Sequence, residues 1–245
     1  MQDIDNTHAP LLGNKNEDVE KNIEEDIKKK LREGFIIKVF GIVAYQVIIV
    51  FLVVLLGFMN STFRHLILTS SSLLILAAII SFVSIFIPIY SPILFRLVPQ
   101  NYIILTIFSL SYSWLIASFT LKFTATSVLT TLILTIAMVT CLIIYAFYTK
   151  TDFTIFGGTL FTSLSLLVLC SLFLVFFRIK FLYMLYIYIG LIIFCIYLIY
   201  DVQLLIGNSE RKFSEDDYIL AAINIYLDII AIFIRLLEIF GSKNN

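Results

Sequence analysis

From residue 36 onward the chain is a succession of long apolar stretches joined by short connections, at about 36–58, 66–90, 102–121, 126–148, 155–177, 181–206 and 219–240. A helix needs about 20 apolar residues to cross a hydrocarbon core ~30 Å thick, and each stretch is near or above that length. Barrel strands would show alternating segments of about ten residues, whereas these are continuous runs of Leu, Ile and Phe. The expected fold is therefore all-α, a polytopic membrane protein with seven transmembrane helices. Composition agrees: 60% of residues are hydrophobic and 14% charged, against roughly 25% charged in a soluble domain. The partner this composition implies is the lipid bilayer. A net charge of zero gives no reason to expect nucleic acid.

The chain divides near Gly34. Residues 1–34 are polar and read as an N-terminal segment, with 35–245 as the membrane domain. Residues 1–16 read as an irregular tail. From Glu17 to Glu33, Val19, Ile23, Ile27 and Leu31 recur every four residues among charges, the pattern of an amphipathic helix on the membrane surface or of a solvated linker. Met1 to Gly34 lacks the apolar core of a secretory signal, so insertion is expected to rely on the first span. Lys21, Lys28, Lys29, Lys30, Arg32 and Lys38 crowd its approach, which predicts a cytoplasmic N-terminus. The loop 207–218 is then cytoplasmic, and Asn245 lies on the far side. Cys141, Cys170 and Cys195 fall inside apolar runs without metal-type spacing, so packing is their expected role.

Two carboxylates stand out. Between Glu33 and Glu210 the acidic residues are Asp152 and Asp201. Asp152 belongs to a short loop where water can reach it, but Asp201 lies inside the sixth stretch. Asp228 lies deeper still in the seventh, between Leu227 and Ile229. A carboxylate at membrane depth costs roughly 2.5–3.5 kcal/mol on insertion scales, so such residues normally mark an ion path, a proton relay or a sensor. The competing role is an interhelical hydrogen bond. Counting from the shared loop at ~1.5 Å per residue puts the two about 7.5 and 13.5 Å deep, within reach of each other on neighbouring helices. Close carboxylates cannot both ionise cheaply and share a proton instead. That arrangement is a pH-sensitive latch: protonated it hydrogen-bonds and closes, ionised it repels itself and attracts a cation.

The last span presents Ala221, Asn224, Asp228, Ala231, Arg235 and Glu238 every three or four residues, a small and polar face expected to turn inward. Arg235 and Glu238 are expected to form a structural ion pair. In the third span, Thr106, Ser109, Ser113, Ala117 and Thr120 form a stripe suited to close helix packing.

The text Tyr200-Asp201-Val202-Gln203-Leu204-Leu205-Ile206-Gly207, followed by Asp217-Tyr218-Ile219 and Ala221-Ala222-Ile223-Asn224-Ile225-Tyr226-Leu227-Asp228-Ile229-Ile230, resembles the signature of the transmembrane Bax inhibitor motif family, in its lifeguard branch. Arg32-Glu33-Gly34 with Phe35 to Phe40, Pro99-Gln100-Asn101, and Thr149-Lys150-Thr151-Asp152-Phe153-Thr154 agree with it. The resemblance covers residues 32–241. It implies a bundle with the last helix central, a pH-sensitive calcium leak from internal stores, and protection from cell death. The expected location is then the endoplasmic reticulum, Golgi or another endomembrane. Asp201 and Asp228 match the family's paired aspartates. Ile89-Tyr90-Ser91 lacks the acidic residue that many lifeguard members carry there. The basic latch partner of bacterial members has no match inside the second span, which Arg64 and Arg96 only flank. Arg235 and Glu238 are the expected local substitutes.

Three other readings compete. An intramembrane aspartyl protease also uses two membrane aspartates, one in a Tyr-Asp pair like Tyr200-Asp201, but its second sits in Gly-x-Gly-Asp, and Asp228 follows Ile225-Tyr226-Leu227. No enzyme is expected. A receptor fits the helix count but not the short loops. A non-conducting regulator acting through membrane protein partners in cell-death control remains open. Calcium takes 6–8 oxygen ligands, so Asp201 and Asp228, helped by Asn224, make a weak site for a permeant ion rather than a cage; no cofactor is expected.

Overall fold

The computed structural model describes residues 9–177, 179–207 and 212–244, without the side chains of 9–18, Ile89 and Pro92. The first part of the expected N-terminal tail, residues 1–8, and the loop residues Arg178 and Arg211 lie outside this description. Among the described residues the structure is helical, with a single isolated bridge between Phe123 and Lys243 and no strands. Seven helices are long and apolar enough to cross a membrane.

The first helix, α1, runs unbroken from Ala9 to Met59. It thus starts within the segment expected to be irregular, and the amphipathic stretch is continuous with the first span instead of forming a separate surface helix. No proline interrupts it, and a lone Gly34 costs about 1 kcal/mol, too little to break a helix held further along. At ~1.5 Å per residue α1 is about 77 Å long, more than twice a hydrocarbon core. Val19, Ile23, Ile27 and Leu31 are exposed on its projecting part.

The second expected span is two helices, α2 (Ser61–Thr69) and α3 (Ser71–Tyr90), broken at Ser70. Asn60 caps α2 by accepting from the Phe63 N–H at 3.1 Å. The break falls in the run Ser70-Ser71-Ser72, residues whose hydroxyls compete with helical backbone bonding. A short α4 (Pro92–Arg96) leads to α5 (Gln100–Thr120), α6 (Ala125–Tyr148), α7 (Gly157–Phe176), α8 (Lys180–Ile206) and α9 (Tyr218–Phe240). These bounds agree with the expected spans to within two residues.

The helix α9 is the axis of the bundle. Its span is 61% buried, against 11–39% for the other six, and α1, α5, α6 and α8 all pack on it. The α5 stripe delivers the expected close packing: Ser109, Ser113, Ala117 and Thr120 are wholly buried. The Ser109 and Ser113 hydroxyls bond back to the carbonyls of Leu105 and Leu110, both at 2.7 Å. Thr106 instead faces outward and meets the Tyr45 hydroxyl at 3.2 Å.

One end of the bundle is tied together by the middle of α1, the end of α8 and the start of α9. Arg32 donates to three carbonyls, those of Leu204 at 2.7 Å, Phe213 at 2.8 Å and Ile206 at 3.3 Å. The last carbonyls of a helix have no intrahelical partner, and a guanidinium there both bonds them and complements the helix dipole. Gly207 closes α8 at φ 76°, the left-handed conformation that favours glycine. A Cβ at Gly207 would stand 2.7 Å from Arg32 Nε, so the glycine also admits the arginine. At the start of α9, Lys38 Nζ lies 3.2 Å from the Tyr218 ring centre. The Tyr218 hydroxyl meets Asn101 Nδ2 at 2.6 Å. Arg96 pairs with Asp217 at 2.9 Å, and that contact raises the Arg96 pKa.

Arg32→Ala removes one donor from the carbonyls of Leu204, Ile206 and Phe213, and Gly207→Ala imposes a left-handed conformation on a residue with a Cβ. Each is expected to cost about 1–2 kcal/mol in thermal unfolding of the detergent-solubilised protein. The double variant is expected to lose less than the sum, because removing Arg32 also removes the crowding at position 207. Strictly additive losses would show that the two residues do not meet.

Candidate functional site

The site is built where α8 and α9 cross. Asp201 lies five residues before the end of α8 and Asp228 ten after the start of α9. Both are buried, 6% and 5% exposed, and their carboxyls lie within hydrogen-bonding reach of each other. Two ionised carboxylates could not bond, since each only accepts; a bond between them requires one shared proton. No N–H or hydroxyl donates to the buried Oδ2 of Asp228. Its needs are left to the pair's own proton, or to a water or ion admitted from outside.

Tyr197, one turn before Asp201, lies within electrostatic reach of both carboxyls, and Cys195 within reach of Asp228. From α6, Met138 closes this side, its Sδ 3.7 Å from Cys195 Sγ. The walls are therefore aromatic and sulfur-bearing, polarisable but poor in donors. Asn224 is half-buried one turn before Asp228 on the same face of α9. Among the described residues no group of three or more His, Cys, Asp or Glu side chains could hold a metal ion.

The loop end of α8 is braced just beyond Asp201. Gln203 accepts from the Phe153 N–H at 2.7 Å and donates to the Thr151 carbonyl at 2.8 Å. Asp152, expected to be a solvated loop residue, caps the short 3₁₀ turn Phe153–Phe156, accepting from the Thr154 N–H at 2.9 Å and its hydroxyl at 2.6 Å. The scattered texts around Arg32, Asn101, Thr151, Gln203 and Tyr218 are thus one three-dimensional collar around the ends of the aspartate-bearing helices.

Arg235 and Glu238 are not part of the aspartate pair. Arg235 follows Asp228 by seven residues, about 10 Å along the helix. It pairs with Glu238 at 3.4 Å, donates to the Tyr186 hydroxyl at 2.9 Å and lies over the Tyr186 ring. The Tyr183 hydroxyl donates to the other oxygen of Glu238 at 2.7 Å. Gly190 makes room for this guanidinium, because a Cβ there would meet Arg235 Nε at 2.8 Å. The expected substitution for a basic latch partner is not seen: these two charges neutralise each other at the opposite end of the α8–α9 contact. Arg64 and Arg96 are engaged elsewhere, bonded to the Leu121 carbonyl and to Asp217.

At the depth of Asp228 lie further buried polar groups that the sequence pattern does not single out. Gln46 of α1 is wholly buried, and neither its amide nitrogen nor its oxygen has a partner. The Tyr226 hydroxyl of α9 is likewise buried and unpartnered, its ring packed edge-to-face against the stacked Phe108 and Tyr112 of α5. Lys38 sits on Tyr218, and Gln46 and Tyr226 each follow eight residues later, so both lie about 12 Å further in, close to the level of Asp228. A lone Gln inside an apolar span was the signal available for this level.

Comparison with known proteins places the arrangement. The sequence model of the family described as Inhibitor of apoptosis-promoting Bax1 matches residues 32–245, beginning at the arginine that caps α8. A BI1-like protein of Arabidopsis thaliana is 32% identical over 222 residues, 89% of this chain and 84% of its own length. Protein lifeguard 3 of Homo sapiens is 35% identical over 154 residues, 61% of this chain and 49% of that protein. Protein lifeguard 3 of Mus musculus is 34% identical over 154 residues, 61% of this chain and 50% of its own length. The matched segment thus spans about half of the lifeguard proteins and most of the plant one. By this match and by its seven apolar helices, the chain is a multi-pass membrane protein that belongs to the Bax inhibitor family, described as Inhibitor of apoptosis-promoting Bax1.

Proposed function

We propose that this protein is a pH-gated calcium leak of internal membranes, and that through this leak it lowers stored calcium and protects from cell death. The observation that carries the reading is the buried carboxyl pair, Asp201 beside Asp228 across the α8–α9 contact, with no N–H or hydroxyl donating to Asp228 Oδ2. With one shared proton the two helices are drawn together. Losing it leaves two negative charges in a low-dielectric interior, which repel each other and favour a divalent cation in the proton's place. Deprotonation therefore opens the pair, so flux rises with pH on the side that reaches it. With the N-terminus cytoplasmic, that side is the cytosol.

Other features support a wet path beside the pair. The Gln46 amide and the Tyr226 hydroxyl are buried polar groups without protein donors or acceptors, at a depth similar to that of Asp228. Buried polar groups are normally bonded, and internal water commonly supplies the missing partner. Two carboxylates with Asn224 and water fall short of the 6–8 ligands of a tight calcium site, which suits passage rather than storage. The names of the lifeguard and BI1-like relatives support the cell-death role at the level of the family.

In proteoliposomes of purified protein, calcium flux is expected to rise several-fold from mildly acidic to mildly alkaline pH. Asp201→Asn and Asp228→Asn are each expected to flatten that dependence while leaving the helices inserted, because an amide cannot ionise. No flux at any pH from folded protein would turn the reading toward a non-conducting regulator acting through partners; equal pH responses in wild type and both variants would remove the latch. Gln46→Leu keeps the pair but removes an amide from the path. It is expected to lower flux at every pH without shifting the dependence, and unchanged flux would put the path elsewhere.

A further inference from the structure

The ring of helices around α9 is not closed. The helices α1 and α6 both pack on α9 but leave a gap between them, and through it the flank of α9 faces the membrane. The gap is a groove with a cavity of about 230 Å³ against Ile229, Ile230 and Phe233 of α9. It continues into a second cavity of about 220 Å³ between the far ends of α1 and α6. Both cavities share Phe51, Val54, Val128 and Leu132, so the two are one channel. Its walls are almost wholly apolar.

Length and charge identify the occupant. Along α1 the groove runs from Val47 to Phe58, about 17 Å at the helical rise, close to the ~15 Å of one leaflet's hydrocarbon. At its outer mouth the Arg64 guanidinium lies 5.9 Å from the Phe58 ring that lines the groove. Arg64 is held there by the Leu121 carbonyl at 3.0 Å. Lys122 follows on the same turn and is exposed, as is Lys243, whose segment is stitched to this turn by Asn244 N–H donating to the Lys122 carbonyl at 2.9 Å. Among the described side chains the carboxylate at this end is Glu238, already bonded to Arg235 and Tyr183. The mouth is therefore cationic, at the level where a lipid's phosphate sits.

We propose that this groove holds one acyl chain of an anionic glycerophospholipid, with the headgroup phosphate at Lys122 and Arg64 and the chain lying along α9. The chain then touches Ile229 and Ile230, the two residues after Asp228, so lipid occupancy fills the side of the central helix opposite α8. The proposal does not depend on ion conduction.

Native mass spectrometry of the delipidated full chain, titrated with dioleoyl phosphatidylglycerol or dioleoyl phosphatidylcholine, tests it. Wild type is expected to retain one phosphatidylglycerol per chain at least about tenfold more strongly than phosphatidylcholine. Leu132→Trp, which fills the groove, is expected to lose that bound lipid. Lys122→Ser, on an exposed turn, is expected to fold normally and to retain both lipids about equally. Equal retention by wild type and a folded Leu132→Trp, or a preference for phosphatidylglycerol untouched by Lys122→Ser, would overturn the proposal. So would a lipid-free dimer closed over the groove.

Discussion

A carboxyl group held inside an apolar helical bundle can stay neutral, find a cation, or find a partner that shares its proton. Leaving it charged and alone costs several kcal/mol. Here two such groups meet, and most of the architecture follows from where they must stand. Asp201 and Asp228 reach each other because α8 and α9 are consecutive, antiparallel and joined by a short loop. The pair is secluded because α9 is surrounded by α1, α5, α6 and α8. Its depth is set by the collar at the loop end, where Arg32 and Gln203 fix the last turn of α8.

The collar gives α1 a role beyond crossing the membrane. A single guanidinium on α1 bonds three carbonyls at and beyond the end of the Asp201 helix. Lys38, two turns on, covers the first residue of the Asp228 helix. The long projecting part of α1 is therefore rigidly connected to both aspartate helices. At the other end, Arg235, Glu238, Tyr183 and Tyr186 lock α8 to α9 through an ion pair flanked by phenols. Between these two fixed ends lies the carboxyl pair. In the proposed reading, loss of one proton there replaces an attraction by a repulsion, while the helices remain held above and below.

Much of this was legible in the sequence because membranes impose simple rules. Seven apolar stretches give seven helices able to span a membrane, and a carboxylate in an apolar run is conspicuous. The depth estimate for Asp201 and Asp228 needed only the helical rise. What stayed hidden depends on three-dimensional neighbours. Arg32 read as one of six basic residues setting orientation, since nothing local to it reveals the carbonyls of α8. Arg235 and Glu238 sit on the same face as Asp228, and face alone could not separate them; the 10 Å of helix between them does. The break at Ser70 was masked by apolar residues on both sides, although the serine run marks it. Gln46 was overlooked because a single amide in a long apolar helix weighs little in hydropathy, yet buried without a partner it is among the costliest side chains in the bundle.

The central claim is that Asp201 and Asp228 share one titratable proton in the folded bundle. Infrared difference spectroscopy of the protein in bilayers, stepped from acidic to alkaline pH, reads it directly. The account expects one protonated carboxyl band that is lost as pH rises, moves in deuterium oxide, and is altered by Asp201→Asn and by Asp228→Asn alike. A spectrum without a protonated carboxyl below neutral pH, or a band that neither substitution changes, would contradict it.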